Sequence, residues 1–135
     1  MRSAKCRDID VESRLYELQE LKDGWYDGEQ GSQLSKDGIA WLAKSWRYFS
    51  RNDVSAPCFF PRIEGNIQAE WSFGDVEVEL IVDLQERNGC CYIMDMTTGH
   101  EVKNDVEISF DFNDPQEWTK LFDEIWRLQN SAKST

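Results

Sequence analysis

Two segments with alternating apolar residues constrain the fold of this chain more than any other feature. In residues 67–73 and again in residues 76–84, apolar side chains occupy every second position. A period of two is that of a β-strand with one buried face, and the Gly74-Asp75 pair between the segments is typical of a tight turn. The sequence therefore predicts a β-hairpin at this place.

Further strand-like segments flank this hairpin. The segment before it reads "CFFPRI" and can form an edge strand that tolerates Pro61. Two segments after it, "CCYIMDM" and "DVEISFDF", supply further strands. Since short turns join antiparallel neighbours, we expect four or five strands in a mostly antiparallel sheet.

Helical periodicity precedes the strands. Residues 11–22 carry leucines at helical spacing, with Asp10 available as an N-cap. A second apolar stripe begins after Ser35, whose hydroxyl can cap that helix, and continues to Phe49. The sequence therefore predicts two N-terminal helices.

A third helix is predicted after the last strand. Asp114 is placed as its N-cap, Pro115 as its first residue and Glu117 as a capping-box acid, and the apolar face runs to about Gln129. This broad apolar face must be covered. We therefore predict an α+β domain, with two N-terminal helices and a C-terminal helix packed on the sheet.

The length and the cysteine content bound the kind of protein. A chain of 135 residues predicts a single domain, residues 1–135, with an ordered core at about 9–129 and flexible termini. It contains neither an apolar run of the roughly 20 residues needed to span a bilayer nor a secretory signal, so we expect a cytoplasmic protein. Scattered cysteines then indicate reduced packing residues, at Cys6, Cys58, Cys90 and Cys91.

The formal charge of -11 is concentrated in the second half of the chain. Between residues 75 and 114 there are eleven Asp and Glu, against the two basic residues Arg87 and Lys103. Such a field repels phosphate backbones and anionic membranes and attracts basic proteins. We therefore expect a basic protein as the partner, with no direct binding to nucleic acid or to membranes.

The carboxylates of the alternating segments lie opposite to the apolar positions. The strand period places Trp71 in the core and Glu70 on the other face. That other face would be an acidic surface, which serves either solubility alone or the binding of a partner. The residues that we expect to contact a partner are Glu70, Glu77, Glu79, Glu107, Asp111 and, from the segment between the first two helices, Tyr26.

The segment between the first two helices, here called the connector (residues 21–35), reads "LKDGWYDGEQGSQLS". It has neither the spacing nor the Lys-Ser/Thr ending of a phosphate-binding loop. We interpret it as a link in which Gly24 ends the first helix and Trp25 packs onto the core. Tyr26, if it points outward, is available to a partner.

A catalytic alternative depends on Asp95, Glu101 and Lys103. A carboxylate upstream of Glu-x-Lys on strands can hold a divalent metal and activate water, as in many nucleases. The spacing is loose, and the acidic surroundings would repel DNA. The single histidine, His100, lies in a predicted turn, and no Cys-x-x-Cys pair is present. We therefore predict no enzyme activity, no metal and no cofactor.

Three parts of the chain together resemble a family of small uncharacterised bacterial and prophage-borne proteins. They read "LYELQELKDGWYDG…SKDGIAWLAKSW", "PCFFPRIEGNIQAEW" and "VEVELIVD". The family pattern has a leucine-rich helix, Gly-Trp-Asp-Gly, a second helix, a Pro-spaced strand, Asp-Gly-Gly-Ile, a strand with Glu-Trp and an acidic alternating strand. The matching residues are Gly24, Trp25, Asp27, Gly28, Pro57, Pro61, Gly65, Ile67, Glu70 and Trp71.

The chain departs from this family pattern twice. Tyr26 is inserted in the Gly-Trp-Asp-Gly element, and Asn66 replaces the second glycine of the later turn, where Asn also tolerates positive φ. The resemblance covers roughly residues 15–84 and implies the fold and a bacterial or phage setting. It implies no catalytic residue.

These observations predict a small acidic, non-catalytic protein that neutralises a basic protein partner by occlusion. An antitoxin, an immunity protein or a phage-encoded anti-defence inhibitor works in this way, and a nucleic-acid-processing enzyme is a suitable target. Two alternatives stay open. One is a metal-dependent hydrolase or nuclease using Asp95, Glu101 and Lys103, and the other is a structural or assembly protein. The sequence also leaves the oligomeric state open.

Overall fold

Two helices, five strands and a third helix follow one another along the described part of the chain. A computed structural model describes residues 10–96 and 106–133. In chain order the elements are α1 (Val11–Gln19), α2 (Lys36–Phe49), β1 (Cys58–Pro61), β2 (Ile67–Phe73), β3 (Val76–Asp83), β4 (Asn88–Asp95), β5 (Val106–Asp111) and α3 (Pro115–Lys133).

The five strands form one sheet in the order β1-β2-β3-β4-β5, with every neighbouring pair antiparallel. In the central hairpin Phe73 is paired with Val76 across the Gly74-Asp75 turn. α1 contacts β1, while α3 contacts β2 and β5. The predicted α+β fold, with two N-terminal helices and a C-terminal helix on the sheet, is therefore confirmed.

Side-chain caps start the two N-terminal helices where the sequence predicted them. The Asp10 carboxylate accepts a hydrogen bond from the Ser13 backbone N–H at 3.2 Å, and the Ser35 hydroxyl accepts one from the Gly38 N–H at 3.0 Å. α1 ends three residues before the predicted residue 22. The N–H of Leu21 donates to the carbonyl of Leu18 at 3.2 Å, and this tighter spacing closes the helix.

The third helix begins as predicted, but its capping box differs. Asp114 accepts a hydrogen bond from the Gln116 N–H at 3.0 Å, whereas Glu117 accepts from the N–H of Asp111 at 3.3 Å. Glu117 does not accept from the Asp114 N–H, because that group donates to the Asp111 carbonyl at 3.1 Å. The carboxylate of Glu117 therefore joins the helix to the end of β5.

An aromatic cluster centred on Trp46 forms the core between the sheet and the helices. Trp46 lies on α2 and is 4% exposed. Its ring lies 5.1 to 6.2 Å, centroid to centroid, from four other aromatic rings on β1, β2 and α3, which are Phe59, Trp71, Trp118 and Phe122. Trp71 is buried as predicted.

The strand register gives the sheet an inner face beneath the helices and an outer face turned away from them. The core side chains of the strands, such as Ala69, Leu80 and Cys91, oppose one another on the inner face. The alternate positions make up the outer face. No helix of the described ranges packs on this outer face, and its composition therefore bears on function.

We predict that replacing Trp46 with alanine lowers the free energy of unfolding by about 3–5 kcal/mol, because a large buried aromatic is lost together with its four ring contacts. Urea denaturation followed by circular dichroism measures this change. Tyr48, on the same helix and 80% exposed, is the matched control. Tyr48→Ala should change the value by less than about 0.5 kcal/mol, and equal effects of the two variants would contradict the described core.

Candidate functional site

A row of directly opposed residues crosses the outer face. It runs from Glu70 on β2 to Glu79 on β3, Tyr92 on β4 and Glu107 on β5. Because neighbouring strands lie about 4.8 Å apart, Glu79 and Glu107 stand about 10 Å apart, with Tyr92 between them. We call these last three residues the acidic row.

The charge of the sheet has a single sign. The five described strands contain seven Asp and Glu and no Lys or Arg. The register places all of the seven except Asp95 on the outer face, namely Glu70, Glu77, Glu79, Asp83, Glu107 and Asp111. A cation borders this face at Arg62, in the turn between β1 and β2, whose guanidinium donates to the Gln68 side chain at 2.6 Å.

Glu70 lies on the outer face as predicted, but the expectation that it is exposed is wrong. Its side chain is 3% exposed, and its carboxylate accepts a hydrogen bond from the Gln68 amide. The Gln68 carbonyl in turn accepts from Arg62. A buried carboxylate requires such partners, because its charge has left water. The three side chains form a polar chain that runs from the turn into the sheet.

The other predicted contact residues remain accessible to different extents. Glu107, Asp111 and Tyr26 are exposed, whereas Glu77 and Glu79 are half-buried. Glu77 accepts a hydrogen bond from the Ser72 hydroxyl at 2.8 Å, and Glu107 accepts one from the Cys90 thiol at 3.3 Å. Ser72 and Cys90 also lie on the outer face. The outer face therefore keeps carboxylates within reach of a partner.

The sequence prediction did not include Tyr92 among the contact residues. Its alternation with the buried residues Cys91 and Ile93 is the signal that places it outward. The pKa of the Tyr92 hydroxyl is raised by its hydrogen bonding with Cys90, and further by electrostatic interactions with Cys90 and Glu107. Tyr92 is therefore a neutral hydrogen-bond donor between two carboxylates.

The connector is a closed loop with its own hydrogen bonds. The Gly24 N–H donates to the Gly31 carbonyl at 2.7 Å, and the Trp25 indole N–H donates to the Ser32 carbonyl at 2.8 Å. The backbone N–H groups of Gln30 and Glu29 donate to Asp27 and lower the pKa of its carboxyl. These bonds fix the loop, so its exposed side chains are held in place.

A pocket of about 460 Å³ lies where the connector meets the turn between β1 and β2. Its lining combines aromatic, apolar and charged side chains, which are Trp25, Tyr26, Phe60, Pro61, Arg62, Ile63, Glu64, Gln68 and Glu70. Tyr26 and Glu70, which are distant in sequence, therefore line the same site. We call this site the connector pocket.

Of the residues of the catalytic alternative, the structure describes only Asp95. Asp95 ends β4 opposite Val76, on the inner-face side of the register. Glu101 and Lys103 lie outside the described residues, as does His100. Within residues 10–96 and 106–133 no group of three or more His, Cys, Asp or Glu is placed to hold a metal ion.

The cysteines differ from the prediction that all four are reduced. Cys58 is disulfide-bonded, whereas Cys90 and Cys91 are free. Cys6 also lies outside the described residues. The vicinal pair points to opposite faces, since Cys91 is fully buried and Cys90 faces Glu107. Burial raises the pKa of the Cys91 thiol to about 12.

The fold and the outer face together define a small α+β protein. Its sheet is covered by helices on one side and carries carboxylates on the other. Comparisons with known protein families, with curated proteins and with solved structures give no significant match. Among the helices of the described ranges, none combines the length and apolarity required to cross a bilayer.

We predict that iodoacetamide at pH 8 modifies Cys90 in the native protein and leaves Cys58 and Cys91 unmodified. Only the thiolate reacts; the Cys91 thiol stays protonated below its raised pKa, and Cys58 has no free thiol. Peptide mapping by mass spectrometry measures the modification of each cysteine. Modification of Cys91 at the rate of Cys90, or of Cys58 without a reductant, would contradict the described state.

We further predict that two glycines of the connector differ in their tolerance of alanine. Both have positive φ, but a Cβ on Gly28 would meet no atom within 4 Å, whereas one on Gly31 would lie 2.9 Å from the Trp25 ring. Gly28→Ala should lower the free energy of unfolding by about 1 kcal/mol, because of the backbone conformation alone. Gly31→Ala should lower the free energy of unfolding by more than Gly28→Ala does, and it should shift the NMR signal of the Trp25 indole N–H.

Urea denaturation of both glycine variants measures the change in the free energy of unfolding. Gly28→Ala is the matched control, because it introduces the same backbone strain without the contact with Trp25. Equal destabilisation by the two variants, with no change at the Trp25 indole, would show that the ring does not pack on Gly31.

Proposed function

We propose that this chain is a small non-catalytic binding protein that captures a basic protein through the outer face of its sheet and blocks that protein's active surface. The observation that carries the proposal is the acidic row, in which Glu79 and Glu107 flank Tyr92 on a face free of described helices. The strands contain no lysine or arginine that would neutralise this face.

The chemistry of the acidic row suits lysine and arginine side chains. Carboxylates accept charge-assisted hydrogen bonds from ammonium and guanidinium groups, and these bonds are roughly twice as strong as neutral ones. Tyr92 adds a large apolar ring with a neutral hydroxyl donor at the centre of the row. Aromatic residues at the centre of a polar surface are typical of the positions that dominate binding energy.

The net charge of the whole chain supports rapid capture. At -11 the protein attracts a basic partner over distances of about a Debye length, about 8 Å at physiological ionic strength. Proteins that grip phosphate groups present such basic surfaces. A nucleic-acid-processing enzyme is therefore the partner class that we propose, and occupation of its basic surface would inhibit it.

The proposed class of protein follows from the same chemistry, since an antitoxin, an immunity protein or a phage-encoded anti-defence inhibitor acts by occlusion and needs no catalytic residue. A bacterial or phage setting, which the sequence resemblance implies, is part of this proposal. A cytoplasmic location is part of the proposal.

We predict that the charge-reversed variant Glu79→Lys/Glu107→Lys loses the partner. Each substitution replaces an attraction for a basic side chain with a repulsion, so the affinity for the partner should fall by more than tenfold at low salt. The measurement is affinity capture from an extract of the source cell with immobilised protein, followed by mass spectrometry and by titration of the captured protein.

The matched control is Glu20→Lys/Glu86→Lys, which makes the same change in net charge at two exposed residues outside the outer face. This control should capture the same basic protein with at most a small loss from reduced steering. Thermal unfolding checks that both variants are folded. Equal capture by both double variants, or capture by the native protein of no basic protein at all, would rule out the outer face as the interface.

A further inference from the structure

The connector pocket combines features that suit one kind of side chain. Three aromatic rings, those of Trp25, Tyr26 and Phe60, line it together with the apolar residues Pro61 and Ile63. Its charged lining consists of two carboxylates, Glu64 and Glu70, and one guanidinium, Arg62. The pocket is thus an aromatic cleft with a net negative charge, on a protein whose charge of -11 disfavours anionic ligands.

The Arg62 guanidinium already has partners among the residues that line the pocket. Its Nη1 donates to the Gln68 side chain at 2.6 Å, and its Nε lies 3.4 Å from a carboxylate oxygen of Glu64. The distance between Nε and Glu64 is that of an ion pair, and its geometry is not that of a hydrogen bond. Arg62 therefore serves to hold the buried polar chain and leaves the rings as the accessible surface.

The rings are fixed before any ligand arrives. The Trp25 indole is hydrogen-bonded to the Ser32 carbonyl, and its ring packs so closely on Gly31 that even a Cβ would not fit between them. The Tyr26 ring meets Trp25 edge to face at 6.0 Å and is 59% exposed. A ligand that stacks here loses little free energy in ordering the site.

We propose that the connector pocket binds an arginine side chain of the basic partner, with the guanidinium against Tyr26 and Trp25 and its charge facing Glu64. This inference rests on the proposed function, since it supplies the partner with an anchor beside the outer face. A planar guanidinium stacks on aromatic rings and is weakly hydrated, so it suits this cleft better than a lysine ammonium. The 460 Å³ volume is within the range of sites that enclose a ligand, about 300–1,000 Å³.

The test uses a blocked Gly-Arg-Gly peptide as the probe, with Gly-citrulline-Gly as the uncharged peptide of the same shape. Titration of the full chain is followed by ¹H–¹⁵N NMR at the Trp25 indole N–H. The indoles of Trp71 and Trp118, which are buried and bonded to the carbonyls of Ser55 and Phe112, are internal controls. We expect saturable shifts at Trp25 with the arginine peptide, and none with the citrulline peptide or at the two buried indoles.

The matched variants are Tyr26→Ala and Tyr48→Ala, both of which remove an exposed tyrosine. Tyr26→Ala should weaken arginine-peptide binding by about two- to fivefold, the loss expected for one exposed cation–π contact, and Tyr48→Ala should leave it unchanged. The proposal is overturned by equal shifts with the two peptides, by no shift at Trp25, or by a Tyr26→Ala variant that binds like the native chain.

The outcome is separable from that of the proposed function. If the arginine peptide binds at Trp25 while charge reversal at Glu79 and Glu107 leaves capture intact, the pocket is supported and the outer-face interface is rejected. If charge reversal abolishes capture while the peptide gives no shift at Trp25, the interface is supported and the pocket is rejected.

Discussion

The contact of Trp46 with rings from three other elements is the interaction on which the rest of the structure depends. It joins α2 to the sheet through Trp71 and to α3 through Trp118. α2 and α3 therefore cover one side of the sheet, where α1 also packs against α2 and β1, and the described helices leave the other side uncovered. This asymmetry makes a surface of carboxylates possible, because most of the apolar residues of the strands lie on the inner face.

The outer face is less uniform than its charge indicates. Glu70 and Glu79 are directly opposed, and like charges at such positions destabilise a sheet. The Gln68 amide, hydrogen-bonded to Glu70, offsets part of that repulsion. Towards the β1 end of the face, the carboxylate of Glu70 is thus held inside the fold, while at the β5 end Glu107 remains in water. The connector pocket lies at the β1 end, and the acidic row runs from β3 to the β5 end.

Local patterns predicted the helices and strands and two helix caps, but they missed the early end of α1 and the bonding of Glu117. Interactions between distant residues account for what else they missed. Asp10 and Ser35 cap their helices because capping needs only neighbouring N–H groups. The burial of Glu70 depends on Arg62 and the connector, and the place of Tyr92 between two glutamates depends on the pairing of three strands. The alternation of apolar and polar residues along a strand predicts which face of the sheet a residue lies on, but it does not predict what covers that face. The disulfide at Cys58 has no local signature either.

The order of the strands has a consequence for how the chain folds. Each strand pairs with the strand that follows it in sequence, so the sheet can form by successive hairpins, each of which closes a short loop at a small cost in entropy. α3 is made after all five strands, yet it contributes Trp118 and Phe122 to the cluster around Trp46. A nascent chain would therefore expose the apolar side of an assembled sheet until α3 leaves the ribosome, and during that interval aggregation competes with folding.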